Sequence, residues 1–132
     1  MNKISYYLVL FIGTITCLSF FPHAIGGMRA VLEHIAKDEI QEPAANGMQM
    51  IWLYSSIMML LSGIWILFLS KPIKNGDAKA RLQILLLGIG LSVFGIACAY
   101  ISSKIDAMFL FTIQGIILLL ASTIFFKRKN DE

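Results

Sequence analysis

Four stretches without a single Asp, Glu, Lys, Arg or His constrain this chain more than any motif in it. They cover residues 4–21, 48–70, 82–100 and 107–126. Each is close to the roughly 20 residues that carry a helix across a bilayer core. Lipid offers no hydrogen bonds to backbone N–H and C=O groups, so an uncharged run of this length is driven to be helical. The alternation of lumen-polar and lipid-apolar residues that marks a membrane barrel is missing. Composition agrees: 58% of the residues are hydrophobic and 14% charged. A soluble domain carries about a quarter charged residues, and so short a chain cannot enclose this much apolar surface. The sequence predicts an all-α membrane protein, an antiparallel four-transmembrane-helix bundle forming a single domain over residues 1–132.

The basic residues set the direction. Lys3, the hairpin residues Lys71, Lys74, Lys79 and Arg81, and the tail residues Lys127, Arg128 and Lys129 fall on one side of such a bundle. Only Arg29, Lys37 and Lys104 fall on the other. Basic residues in short connections stay in the cytoplasm, so both termini are expected there, in a bacterial-type cytoplasmic membrane. The first run is expected to be retained as a helix, because Pro22 makes a poor signal-cleavage context before His23 and Ala24. The formal net charge of +3 does not imply a nucleic-acid partner, since the cations lie between apolar runs and form no patch.

The connection over residues 22–47 faces outward and holds both histidines. With a helical period, Ile25, Met28, Val31, Leu32 and Ile35 share one side, while Arg29, Glu33 and Lys37 form a row of alternating charge on another. This spacing predicts an amphipathic interfacial helix from about 28 to 40, between helices one and two. Gly26 and Gly27 read as its hinge, and Pro43 with the Asn46-Gly47 pair as its end. His23, Arg29, Glu33 and His34 form the candidate polar cluster. Their spacing matches no known ligand pattern, so no metal and no cofactor is expected. Cys17 and Cys98 stand singly inside apolar runs, which excludes a Cys-x-x-Cys redox site.

Helices in lipid associate through small residues and a few polar groups. Gly88, Ser92 and Gly95 give helix three a smooth face, predicted to pack on a neighbour. Gln114, the most polar side chain near the middle of a span, is expected to face the bundle, because an unpartnered amide in lipid is costly. Trp52, Tyr54, Tyr6, Tyr7 and Tyr100 lie near span ends, as an aromatic belt would.

These features predict a non-enzymatic packing, partner-binding or envelope-sensing component. Its expected partners are the lipid bilayer and a second copy or another membrane protein. One alternative is a subunit of a small oligomeric transporter or channel lined by Ser55, Ser62, Ser92 or Gln114. Another is an enzyme acting on a lipid or amphiphile at the outer face through His23, Arg29 and Glu33.

Overall fold

The structure, a computed structural model, describes residues 2–37, 41–103 and 107–126, with the side chains of Glu42 and Ala107 also left aside. The described residues are helical, with no strand among them. The elements are α1 (Lys3–Phe21), a π-helical segment (Pro22–Gly27), α2 (Met28–Ala36), α3 (Glu42–Lys74), α4 (Ala78–Ser102), a 3-10 turn (Ala107–Phe109) and α5 (Leu110–Ser122). Three helical stretches are long and apolar enough to cross a membrane: Lys3–Ala36, Pro43–Lys74 and Ala78–Ser102.

The local chemistry explains the boundaries. Pro22 has no N–H to give to the preceding turn, and its ring crowds the carbonyl four residues back. The chain answers by widening to a π turn over Pro22–Gly27, and helical winding continues without a break into α2. The expected hinge at Gly26-Gly27 is thus a wide helical turn. At the start of α3, Pro43 stands in the first turn, where its missing N–H has no intrahelical partner to lose. Helix therefore begins at Glu42, and Asn46 and Gly47 lie inside it. The expectation that Pro43 and Asn46-Gly47 close the preceding segment is corrected by this.

At the other end of α3, Asn75-Gly76 closes the helix. Gly76 takes a positive φ of 76°, which only glycine adopts without a Cβ penalty. The Gly76 N–H donates to the Ile73 carbonyl at 3.0 Å and the Asp77 N–H to the Pro72 carbonyl at 3.1 Å, the paired bonds of a Schellman cap. Asp77 then starts α4, accepting from the Ala80 N–H at 2.8 Å as its N-cap.

The fourth apolar run differs from expectation. Its α-helix spans 13 residues, Leu110–Ser122, about 20 Å at 1.5 Å per residue, whereas the sequence predicts a full span over 107–126. Side-chain hydrogen bonds gather at its end. Ser122 and Thr123 hydroxyls both donate to the Leu119 carbonyl, at 3.1 and 2.6 Å. Arg81 Nε donates to the Ser122 carbonyl at 2.9 Å, occupying an acceptor that a continuing helix would use. Lys104 and the tail from Lys127 to Lys129 lie outside the described residues, as do Asp38 to Ile40 of the expected amphipathic helix.

The chain divides into two compact units, Met1–Ile12 with Ile66–Glu132, and Gly13–Trp65. In the first, Val9 and Ile12 of α1 join Ile66, Leu69 and Ile73 of α3, Ala80 and Ile84 of α4, and Leu118 and Ala121 of α5 in one buried cluster. In lipid such a cluster is held by close contact and not by escape from water. The Asn2 N–H donates to the Lys74 carbonyl at 3.3 Å, and its side-chain amide donates to the Ile73 carbonyl at 3.2 Å. These bonds and Arg81–Ser122 gather the start of α1, the end of α3, the start of α4 and the end of α5 at one end of this unit.

Within the same unit α4 and α5 pack antiparallel, backbone to backbone. A Cβ built on Gly88 would lie 3.0 Å from the Gly115 carbonyl oxygen, and one on Gly95 would strike Thr112. Gly115 in turn faces Ser92 and Gly88. The Gly88, Ser92, Gly95 face therefore meets a complementary row of Thr112, Gly115 and Leu119.

Candidate functional site

In the Gly13–Trp65 unit, α1 and the π segment lie antiparallel against the first half of α3. Gly63 is what permits this approach, since a Cβ there would sit 2.7 Å from the Cys17 backbone nitrogen. The Cys17 thiol reaches the Leu60 carbonyl at 4.0 Å. Two turns further along, His23 meets α3 at three points. Its ring lies parallel to the Trp52 indole, with centroids 4.7 Å apart and planes at 12°. Its Nδ1 is 2.9 Å from the Ser56 hydroxyl. Its backbone carbonyl accepts from the Trp52 indole N–H at 2.7 Å.

The π turn is what makes the last bond available. A widened turn leaves a carbonyl without its usual partner four residues on, and functional groups often occupy such turns. Gly27 completes the fit, because a Cβ there would run into the Trp52 ring. Ser56 also sits 2.8 Å from the Trp52 carbonyl, one turn back on its own helix. When its single hydroxyl proton is given to that carbonyl, its lone pair takes the Nδ1–H of His23. The imidazole then keeps Nε2 as an acceptor, the position where a second proton adds.

The remaining cluster residues are placed differently. Arg29 Nε donates to Glu33 Oε1 at 2.9 Å on the exposed side of α2, an i,i+4 ion pair. His34 is exposed on the same helix and Lys37 is exposed just past its end. Val31 is buried and Met28 and Ile35 are half-buried, while Ile25 and Leu32 stay exposed. The structure therefore joins Arg29 to Glu33 and gives His23 to Trp52 and Ser56. It does not bring the acid, the base and the imidazole of the enzyme alternative onto one another. No group of three metal-ligating side chains occurs among the described residues.

In the other unit, Gln114 is buried on α5 with 8% exposure. Thr112 Oγ1 donates to the Ser92 carbonyl at 3.5 Å. Ser92 Oγ is buried with no hydrogen-bond partner among the described residues.

Trp52 and Ser56 are the partners of His23 that sequence reasoning missed. Trp52 reads as a belt aromatic and Ser56 as a small packing residue. Their i,i+4 spacing on an otherwise apolar helix is the one signal that could have paired them. Comparison with protein-family models, curated proteins and solved structures finds no match for this chain.

Proposed function

We propose that this chain is a non-enzymatic integral membrane protein of a bacterial-type cytoplasmic membrane that senses proton activity at the outer face through His23. In this reading the four apolar runs form an antiparallel bundle with both termini in the cytoplasm. The segment from Pro22 to Ala36 continues the helical path of α1 to the outer interface.

The observation that carries the reading is the fastening of the π segment to α3 by a titratable ring. Histidine is the side chain whose charge changes between about pH 5 and 8 without special tuning. A proton added at Nε2 places a full charge on the face of an indole. The indole attracts a cation within about 6 Å of its centroid, while partial burial opposes the charge. Both effects act on the bonds that hold the segment to α3, so α2 takes up the proton signal. Among the described residues, no other titratable group nearby takes that role. Arg29 is paired with Glu33, His34 is exposed on α2 and Lys37 is exposed just past its end. Residues 13–21 and 43–65 contain no Asp, Glu, Lys, Arg or His, and Cys17 and Tyr54 complete the titratable side chains there.

Hydrogen exchange of the reconstituted protein tests this. Exchange over 28–36, corrected for its intrinsic pH dependence, should change between pH 5 and pH 8 in the native chain and stay constant in His23→Gln. The same pH dependence in both proteins would refute the proposal.

A further inference from the structure

One end of the Met1–Ile12 and Ile66–Glu132 unit gathers positive charge from three separate chain segments, which corrects the expectation that cations scattered between apolar runs form no patch. Lys3 begins α1, Lys71 and Lys74 end α3, and Lys79 and Arg81 stand in the first turns of α4. The bonds of Asn2 to Ile73 and Lys74, and of Arg81 to Ser122, bring these segments together. Lys3, Lys71, Lys79 and Arg81 are exposed.

Helix electrostatics accounts for only part of this set. Lys71 and Lys74 suit the negative C-terminal end of α3, whereas Lys79 and Arg81 lie at the positive N-terminal end of α4, where cations are disfavoured. Asp77 is the one acid among the described residues at this end, and its carboxylate is engaged as the α4 cap. None of the five cations is paired with a carboxylate among the described residues. Two are instead oriented by neutral groups. The Lys74 ammonium lies 4.9 Å from the Tyr6 ring centre, and the Arg81 guanidinium 5.3 Å from that of Phe126. Arg81 uses Nε on Ser122, which leaves its two terminal NH2 groups for a bidentate acceptor. Along the helices from this band of charge the surface turns apolar, at Ile4, Phe68 and Leu82, all exposed. A cationic band bordering exposed apolar surface complements an anionic headgroup whose acyl chains lie along the helices.

We propose that Lys3, Lys71, Lys74, Lys79 and Arg81 form a binding surface for anionic phospholipid headgroups. This rests on the membrane reading alone and is independent of His23.

The full chain, reconstituted from an equimolar mixture of phosphatidylglycerol and phosphatidylcholine and then extracted in mild detergent, tests it by mass spectrometry of the retained lipid. The native chain should retain phosphatidylglycerol several-fold over phosphatidylcholine. The Lys71→Gln/Lys79→Gln variant spares the Arg81 and Lys74 contacts, and circular dichroism checks its fold. Each lysine near an anionic surface is worth about a five-fold preference, so the double variant should lose most of the enrichment. Equal retention of the two lipids by an inserted native chain would overturn the lipid site and leave the membrane reading standing. Enrichment unchanged in the double variant would also overturn it. A chain that does not insert at all would overturn both.

Discussion

The imidazole of His23 and the indole of Trp52 are joined twice, by parallel stacking at 4.7 Å and by the indole N–H on the His23 carbonyl at 2.7 Å. One bond uses the side chain and the other the backbone. Changing the ring therefore weakens the attachment without abolishing it.

The fit of this contact depends on one glycine. Gly27→Ala would drive a methyl group into the Trp52 ring, whereas a Cβ on Gly26 meets nothing within 4 Å. Overpacking of this kind destabilises by about 1–3 kcal/mol. Alanine at an open helical position gains about 1 kcal/mol over glycine. Thermal unfolding in detergent, followed by circular dichroism, should therefore show Gly27→Ala below the native chain and Gly26→Ala at or above it.

The α4–α5 contact provides a second matched pair. A methyl at Gly115 would strike Ser92 and the Gly88 carbonyl, while Gly90 faces open space. Gly115→Ala should lower stability by about 1–3 kcal/mol and Gly90→Ala should not. If Gly90→Ala proves as damaging as Gly115→Ala, α4 has another partner on its outer face.

Removing the α4 cap isolates a local effect. Asp77 accepts from the Ala80 N–H, and replacing such a cap with alanine costs about 1 kcal/mol. Asp77→Ala should lower the unfolding temperature modestly, and Asp77→Asn, which can still accept that bond, should restore most of it.

The proposed topology rests on the basic residues and is tested separately. A reporter active only in the cytoplasm, fused after Glu132, should be active. A reporter active only outside the cytoplasm should be silent there and active when inserted in the connection after Lys37.

Much of the helical layout is legible because charge is absent from the runs that form α1, α3 and α4. The Arg29–Glu33 pair is legible too, since i,i+4 spacing is a local property of any helix. The start of α3 is not. Pro43 reads as a terminator, but the same missing N–H makes it a good first-turn residue, and sequence alone does not say which side of it is helical. The early end of α5 is not legible either, where Arg81 reaches the Ser122 carbonyl from 41 positions away. The His23 cluster is hidden for the same reason. It needs residue 23 aligned with residues 52 and 56 across an intervening segment, together with a π turn that shifts the register.

The most direct test of proton sensing is the emission of Trp52 as pH changes. The chain has two tryptophans, so Trp65→Phe leaves one reporter, measured in proteoliposomes. A protonated imidazole stacked on an indole quenches it, so emission should fall as pH drops, with a single midpoint below the ordinary imidazole value because burial disfavours the charged ring. In Trp65→Phe/His23→Gln the transition should vanish. Emission that does not change with pH, or a transition that persists without His23, would contradict the account.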